Sequence, residues 1–180
     1  MSSVVGMRWV TFLRAANVGT HNRFQPAVLA KELAGFGVVN IGAVDTFIVQ
    51  EDVTEATLRA ELARKLPFRC EVMICPAKAI LDLAQEDPFV GERGDNVEAY
   101  VTVMAKRPAS VPKFPIYAPA KEKWEVKILR VVGTAVLSLR RRTKDGRLYP
   151  NQIIEKKFGV ATTTRNWNTI TKVAKILQNG

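Results

Sequence analysis

The hydrophobic pattern of the first 75 residues changes period several times, which predicts short strands separated by two amphipathic helices, and "PAKAILDLAQ" at 76–85 predicts a third helix after them. Helical spacing of apolar residues occurs in "FQPAVLAKELAGFG", where Pro26 falls in the first turn, and in "DVTEATLRAELARKL". Strands are predicted at "MRWVTFL", "VVNIGAV", "TFIVQ" and "CEVMIC". The resulting order is β-α-β-β-α-β, which is the ferredoxin-like unit.

The second half of the chain continues with a different pattern of strands and helices. The segment "VEAYVTVMA" alternates as a strand, and a hairpin is predicted around Gly133 from "EVKILRVV" and "TAVLSLRR". Two helices, at 150–158 and 164–178, are expected to close the chain.

A turn-rich stretch near residues 87–96 separates the two halves. The expected domains are therefore 1–90, a ferredoxin-like α+β part, and 91–180, a basic α+β part that ends in two helices. The fold class predicted for the whole chain is α+β, with a ferredoxin-like first half and a smaller basic second half.

Charge is divided unevenly between these halves. Residues 1–90 contain 9 Lys/Arg and 10 Asp/Glu, a net charge of −1, whereas residues 91–180 contain 18 and 7, a net charge of +11. Basicity on one side predicts a surface that meets an anion, such as nucleic acid, a phosphorylated small molecule or an acidic protein. The alternative interpretation is that the cations only solubilise that half.

Composition favours an ordered protein, because 47% hydrophobic residues are enough to build a substantial core. Arg8 interrupts the first apolar stretch, and no cationic leader precedes it, so we expect a cytoplasmic protein with no membrane partner. Cys70 and Cys75 have an odd separation, and the single histidine, His21, lies far from them in sequence. We therefore expect reduced, unpaired thiols, no metal site and no cofactor.

A polar segment, "TTTRNWNT" at 162–169, lies where the last helix is predicted to begin. The apolar stripe at helical spacing in this helix consists of Trp167, Ile170, Val173 and Leu177. The tryptophan is therefore expected in the core, with Thr163 or Thr164 as the helix cap. A helix start rich in hydroxyl and amide groups also suits a phosphate or carboxylate. The candidate ligand-binding residues are Thr163, Thr164, Arg165, Asn166, Asn168 and Thr169.

A second polar segment, "RAANVGTHNR" at 14–23, joins the first predicted strand to the first helix. Loops at the edge of a sheet often carry function, but this one has neither a GxxxxGK[ST] nor a GxGxxG pattern. A general base at His21 would need a nucleophile or an orienting carboxylate that the sequence does not identify. The candidate ligand-binding residues here are Arg14, Asn17, Gly19, His21 and Asn22.

These two segments carry a family resemblance. "FLRAANVGTHNR" resembles the "LLRGINVGG" signature, and "GVATTTRNWNTITKV" resembles the "GVPATTRNWNTVTKL" signature, of a bacterial family called domain of unknown function 1697. The resemblance covers roughly residues 7–178, and "DGRLYPNQIIEKKFG" is similar to the segment that precedes the second signature. It implies the two-part α+β fold, but the name of the family assigns no activity.

The chain departs from the family pattern at four places. Ala15 and Thr20 stand where the family usually has glycines, and "DTF" at 45–47 stands where it usually has Ser-Gly-Asn. "LYPN" at 148–151 replaces a more usual "SKLT". If those family positions contact a common ligand, this chain is expected to bind a different ligand or to bind the same one less well.

The loop "LRRRTKDGR", residues 139–147, is the most cationic segment of the chain. Cations of this kind contact phosphates and give an affinity that depends on salt. A solvated basic turn is the alternative, since the sequence shows no exposed aromatic pattern that would stack bases. The candidate polyanion-binding residues are Arg140, Arg141, Arg142, Lys144 and Arg147.

No segment identifies a reaction. None of the four serines lies in a nucleophile elbow, and the acidic residues show no diagnostic pairing. A binding module for a phosphate-bearing ligand or nucleic acid is the hypothesis with the fewest assumptions. The alternatives are an enzyme acting on a small anionic substrate at a cleft between the two halves, and a protein-interaction module with an acidic partner. Oligomeric state is not predicted by any of these features.

Overall fold

The structure is a computed structural model that describes residues 7–14, 24–41 and 45–180. It divides into two compact units. The first unit consists of the chain up to Asp82 together with Lys172–Gly180, and the second unit is Leu83–Thr171. The domain boundary predicted near residue 90 stays a prediction. Among the described residues, no helix is both long enough and apolar enough to cross a membrane.

The first unit contains the predicted β-α-β-β-α-β order. Its elements are β1 Trp9–Leu13, α1 Pro26–Glu32, β2 Val38–Asn40, β3 Thr46–Val49, α2 Glu55–Lys65 and β4 Val72–Pro76. The sheet order is β2-β3-β1-β4, and every neighbouring pair is antiparallel. This is the ferredoxin-like arrangement, so the predicted fold of the first half is confirmed.

The core of the first unit lies between its sheet and its helices. Leu58 and Leu62 are one helical turn apart in α2, and both are buried in the same apolar cluster as Trp9 and Phe47. The indole N–H of Trp9 donates a 2.7 Å hydrogen bond to the carbonyl of Val53, which satisfies the one polar group that this side chain buries.

Cys70 and Cys75 are not joined by a disulfide, as predicted. Cys70 is half-buried and precedes β4, whereas Cys75 lies within that strand and is buried. Burial raises the pKa of the Cys70 thiol, so the thiol form is favoured at neutral pH.

The second unit is built on a five-stranded antiparallel sheet with the order β6-β7-β8-β5-β9. Its strands are β5 Val97–Met104, β6 Ile116–Ala118, β7 Val126–Val132, β8 Ala135–Arg141 and β9 Thr162–Asn166, and the helices of this part of the chain are α3 Ala77–Glu86, α4 Pro150–Phe158 and α5 Trp167–Asn179. The division between the units falls inside α3 and inside α5.

Two glycines end elements of this unit where the sequence predicts. Gly133 has φ of 62° in the turn between β7 and β8, which confirms the predicted hairpin. Gly159 has φ of 62° and caps the C-terminus of α4 in the left-handed conformation. Both positions use the backbone freedom that a side chain would restrict.

One face of the second sheet changes from apolar to polar along β5. Alternate residues of a strand project from the same face, so Glu98, Tyr100 and Met104 share one side. At the Met104 end, this face joins an apolar cluster that includes Val136 of β8 and Ile154 of α4. The Met104 end therefore belongs to the core of the unit.

The opposite end of that face carries polar residues on three neighbouring strands. Glu98 is paired with Arg140 in β8, and Tyr100 is paired with Asn166 in β9. Residues directly opposite each other in an antiparallel ladder lie on the same face, so these side chains converge where β5 begins and β9 ends.

Candidate functional site

A cavity of about 300 Å³ opens in the second unit, where β5 begins and β9 passes into α5. Strands β5 and β9, the start of α5, the segment before β5 and the segment after β8 all contribute residues to it. The polar side chains that line it are Arg93, Glu98, Tyr100, Arg142, Asn166 and Asn168.

The segment predicted to begin the last helix is a strand instead. Helix was predicted from residue 164, but Thr162–Asn166 form β9 and α5 begins at Trp167, so this part of the prediction is wrong. The side-chain oxygens of Thr102 and Thr164, which are paired across β5 and β9, lie 2.8 Å apart. β-Branched threonines fit a pleated, half-buried surface, and pairing with β5 outweighs any local tendency to begin a helix.

The cap of α5 is therefore Asn166 and neither of the threonines that the sequence suggested. Its Oδ1 accepts hydrogen bonds from the backbone N–H of Thr169 at 2.9 Å and from the hydroxyl of Thr169 at 3.0 Å. Asparagine is among the best capping residues, and this geometry satisfies one N–H of the first helical turn. The Nδ2 group of Asn166 is left as the donor end of a side chain that also lines the cavity.

Trp167 anchors the start of α5 in the core. Its ring meets that of Phe89 edge-on, with centroids 5.1 Å apart and an interplanar angle of 70°. It is 4% exposed, and the other residues of the predicted apolar stripe, Ile170, Val173 and Leu177, are buried as well. The prediction that this tryptophan is a core residue is confirmed, and Trp167 also contributes to the cavity wall.

Two arginines supply positive charge to the cavity, and they are held differently. The Nη2 of Arg93 forms a 2.5 Å ion pair with Oδ2 of Asp87. The Nε of Arg142 lies 3.6 Å from Oε1 of Glu98, and its Nη2 lies 3.4 Å from the carbonyl oxygen of Asp95. These contacts of Arg142 are long, and its side chain is 60% exposed. A ligand that binds the guanidinium would therefore displace only weak interactions.

Glu98 and Tyr100 form the polar part of the cavity wall on β5. The hydroxyl of Tyr100 donates a 3.0 Å hydrogen bond to Oε2 of Glu98. Burial raises the pKa of the Tyr100 phenol, and the hydrogen bond to Glu98 raises it further. At neutral pH the phenol is therefore a protonated donor beside the Glu98 carboxylate.

Arg140 is enclosed by partners and lies beside the cavity. Its Nε donates a 2.9 Å hydrogen bond to the carbonyl of Leu148, and its Nη1 lies 3.7 Å from Oε2 of Glu98. Its guanidinium carbon also lies 4.0 Å from the centre of the Tyr149 ring. The side chain is only 12% exposed, so these internal contacts already use most of its surface.

The loop that follows β8 is organised by an acidic residue immediately before β7. Oε2 of Glu125 accepts hydrogen bonds from the backbone N–H groups of Arg147 at 2.8 Å and Leu148 at 3.0 Å. The side chains of Lys144 and Arg147 are exposed on this loop. In contrast, the guanidinium of Arg141 lies over the ring of Trp124, 4.0 Å from its centre.

Comparison with known proteins places the chain in a family. The family model described as "Protein of unknown function (DUF1697)" matches residues 7–131. The chain belongs to the DUF1697 family. The matched span runs from before β1 to within β7, so the resemblance noted from the N-terminal segment is confirmed, whereas the "TTTRNWNT" segment lies beyond the match.

A solved structure has the same fold as this DUF1697 chain. It is a conserved bacterial protein, SP0830 from Streptococcus pneumoniae, with a TM-score of 0.65 and 14% sequence identity. The similarity covers 95% of this chain and 98% of the other, and it supports the α+β fold alone. The comparison with curated proteins found no significant match.

The cavity of this DUF1697 chain brings together parts of two predicted sites. Asn166 and Asn168 come from the "TTTRNWNT" segment, and Arg142 comes from the cationic loop. Thr163, Thr164 and Arg165 are next to Asn166 in β9, where Nη1 of Arg165 donates a 2.7 Å hydrogen bond to Oγ1 of Thr163. Ligand binding by these residues stays a prediction.

The candidates from the N-terminal segment are placed only in part. Arg14 directly follows β1 in the first unit, and its backbone N–H donates a 2.9 Å hydrogen bond to the carbonyl of Glu71. Asn17, Gly19, His21 and Asn22 lie outside the described residues. Within the part of the chain that the structure describes, no group of three or more His, Cys, Asp or Glu side chains is placed to hold a metal ion.

Three polar cavity residues, Arg93, Glu98 and Tyr100, were missed by the sequence analysis. A signal for two of them exists in "VEAYVTVMA", because Glu98 and Tyr100 are alternate residues and must share a face of the strand. No comparable signal marks Arg93, which reaches the cavity from the turn-rich segment before β5.

Proposed function

We propose that this DUF1697 protein is a binding module for a small phosphate-bearing ligand, held in the cavity at the junction of β9 and α5. The observation that carries the proposal is that Arg93, Arg142 and the start of α5 line one cavity. The lining contains two guanidinium groups and one carboxylate, that of Glu98, and the Arg93 guanidinium is also paired with Asp87 outside the lining.

The helix adds to the positive charge of the guanidinium groups. α5 is 13 residues long, and the N-terminus of a helix carries a partial positive charge and backbone N–H groups without intrahelical partners. The carboxamides of Asn166 and Asn168 add neutral donors next to the guanidiniums. Guanidinium and amide donors together are the groups that proteins use to bind phosphate oxygens.

The size of the cavity limits the ligand. About 300 Å³ is at the lower end of the range of small-molecule sites, which supports a single phosphorylated metabolite and leaves no room for a polymer inside the cavity. The carboxylate of Glu98 also favours a ligand that carries hydroxyl donors, since a carboxylate repels an anion but accepts hydrogen bonds from hydroxyl groups.

Titration calorimetry with ribose 5-phosphate at low ionic strength tests this proposal. Replacing Arg142 by Gln should weaken binding by roughly tenfold or more, because a hydrogen bond to a charged group contributes about 1.5–3 kcal/mol. Arg130→Gln is the matched control, since Arg130 is 51% exposed in the same unit and is not part of the cavity lining. Equal losses in the two variants, or no binding to the unaltered protein, would contradict the proposal.

A second candidate function is polyanion binding by the cationic loop. The observation that favours it is that Arg142, Lys144 and Arg147 are exposed on a segment fixed by Glu125, in the half of the chain with a net charge of +11. The enclosed Arg140 is a weaker candidate for a phosphate contact than the exposed cations are. An enzymatic activity, an acidic protein partner and a cytoplasmic location stay predictions.

A further inference from the structure

We infer that the ligand is a nucleoside phosphate, with its phosphate in the cavity at the β9–α5 junction and its base stacked on the ring of Tyr149. The inference rests on the proposed function and names the class of ligand for that same site. Nothing in the sequence pattern pointed to an aromatic residue beside the cationic loop.

Tyr149 has an aromatic ring that is open to solvent and supported from one side. The residue is 47% exposed, and the guanidinium of Arg140 lies 4.0 Å from the ring centre. Since the cation covers one face of the ring, a base would stack on the other face. A cation on one face withdraws electron density from the ring and favours stacking with a planar base.

The ring is also held in place before any ligand arrives. Arg140, the group that supports it, is 12% exposed and is fixed by its hydrogen bond to the carbonyl of Leu148. The backbone N–H of Tyr149 donates a 3.3 Å hydrogen bond to Oε1 of Gln152 in the first turn of α4. A ring held in this way loses little conformational entropy when a base stacks on it.

A short chain of contacts joins the ring to the cavity. Arg140 contacts the Tyr149 ring through its guanidinium and approaches Glu98 with its Nη1 at 3.7 Å, and Glu98 lines the cavity. Tyr149 does not line the cavity itself, but Arg140 connects its ring to the cavity residue Glu98, and the inferred base of a bound sugar phosphate extends toward this ring.

Glu98 is placed to accept hydrogen bonds from the sugar. In the described part of the chain, its hydrogen bond from the Tyr100 hydroxyl is 3.0 Å, whereas its contacts with Arg140 and Arg142 are longer than 3.5 Å. A carboxylate offers about four acceptor positions, so Glu98 retains capacity for ribose hydroxyl groups.

The position of Tyr149 is unusual for its local structure. It is the residue that caps α4, where Ser, Thr, Asp and Asn are preferred. An exposed tyrosine at this position departs from the local preference, and such departures are expected at functional sites.

The inference is tested by comparing adenosine 5′-monophosphate with ribose 5-phosphate by titration calorimetry at one salt concentration. The unaltered protein should bind the nucleotide about tenfold more tightly, as expected for stacking of one base on an aromatic ring. Tyr149→Leu should remove this preference and leave the affinity for ribose 5-phosphate within about twofold, whereas Tyr149→Phe should retain the preference. Circular dichroism of each variant shows whether the fold is intact.

The outcomes separate the two proposals. Equal binding of the two ligands by the unaltered protein, or a preference that survives in a folded Tyr149→Leu variant, would overturn the inference and leave the proposed function standing. Absence of binding by either ligand would overturn the proposed function itself.

A third ligand, a 5′-phosphorylated hexa-adenylate, distinguishes the source of the nucleoside phosphate. If the hexanucleotide and the mononucleotide bind equally, the site recognises a free nucleotide or a terminal nucleotide alone. If the hexanucleotide binds more tightly and the gain requires Lys144 and Arg147, the remaining nucleotides contact the exposed loop. Both outcomes support stacking only if the dependence on Tyr149 is present for each ligand.

Discussion

The side-chain oxygen of Asn166 accepts two hydrogen bonds from Thr169, one from the backbone N–H at 2.9 Å and one from the hydroxyl at 3.0 Å. The same asparagine lines the cavity. The polar "TTTRNWNT" segment thus combines a helix cap with part of a cavity wall, and the two ends of one carboxamide serve the two purposes.

Substitution of Asn166 should separate these purposes. Asn166→Ala removes the cap and is expected to lower the free energy of unfolding by about 1 kcal/mol, measured by urea denaturation. Asn166→Asp keeps a capping oxygen, and its negative charge is favourable at a helix N-terminus, so stability should change by less than about 0.5 kcal/mol.

The order of the two variants in ligand affinity should be the reverse of their order in stability. Asn166→Asp replaces the donor end of the side chain by a second anionic oxygen, so its affinity for ribose 5-phosphate should fall below that of Asn166→Ala. If Asn166→Asp binds the ligand as well as the unaltered protein does, Nδ2 of Asn166 is not a phosphate donor.

Sequence patterns correctly predicted those elements in which the hydrophobic period and the residues at the ends indicate the same structure. The first unit is such a case, since the apolar pattern of its strands and Pro26 in the first turn of α1 are local signals. Strand β9 is a different case, because Thr162–Asn166 have no apolar alternation and are strand residues owing to their pairing with β5. A partner 62 residues away, as in the contact between Thr102 and Thr164, cannot be identified from the local pattern.

The cavity could be predicted only in part, for a similar reason. Polar composition identified Asn166, Asn168 and Arg142 as candidates. Arg93 and Glu98 became cavity residues through the order of strands in the sheet and through the path of the segment before β5. The partners that enclose Arg140 and Arg141 are likewise visible only after folding, since both arginines look like exposed cations in the sequence.

Trp167→Ala should destabilise the protein strongly. The side chain is 4% exposed and packs against Phe89, so its removal leaves a large cavity in the core. The expected loss in the free energy of unfolding is about 3–5 kcal/mol, measured by chemical denaturation. A melting curve that does not change in this variant would show that the indole contributes little to the packing of the second unit.

The titration of Tyr100 should occur above the usual range for tyrosine. Because burial and the hydrogen bond to Glu98 raise its pKa in the folded protein, the protonated phenol stabilises the fold below the unfolded-state pKa of about 10. That stabilisation is lost as the pH rises through the folded-state pKa. Absorbance of tyrosinate should show a late-ionising component that Tyr100→Phe removes, and a titration curve whose late part is the same in Tyr100→Phe would contradict this assignment.

The exposed cations of the loop after β8 should control any binding of nucleic acid. Lys144 and Arg147 are exposed, whereas the side chain of Arg140 is 12% exposed and engaged with Glu98 and Leu148. Each phosphate contact with duplex DNA adds about 0.9 to the slope of log affinity against log salt, so replacing both Lys144 and Arg147 by Gln should lower that slope by nearly two.

The matched control for that double variant replaces Lys106 and Arg107 by Gln. These two residues are also exposed in the second unit, and they carry the same kinds of charge. Fluorescence anisotropy with labelled duplex DNA across a salt series should then give a smaller slope for the loop variant than for the control, although both lose two positive charges. Equal slopes in the two variants would mean that net charge alone determines binding and that the loop is not the contact surface. A loop variant that binds as the unaltered protein does would place the phosphate contacts elsewhere on the basic half.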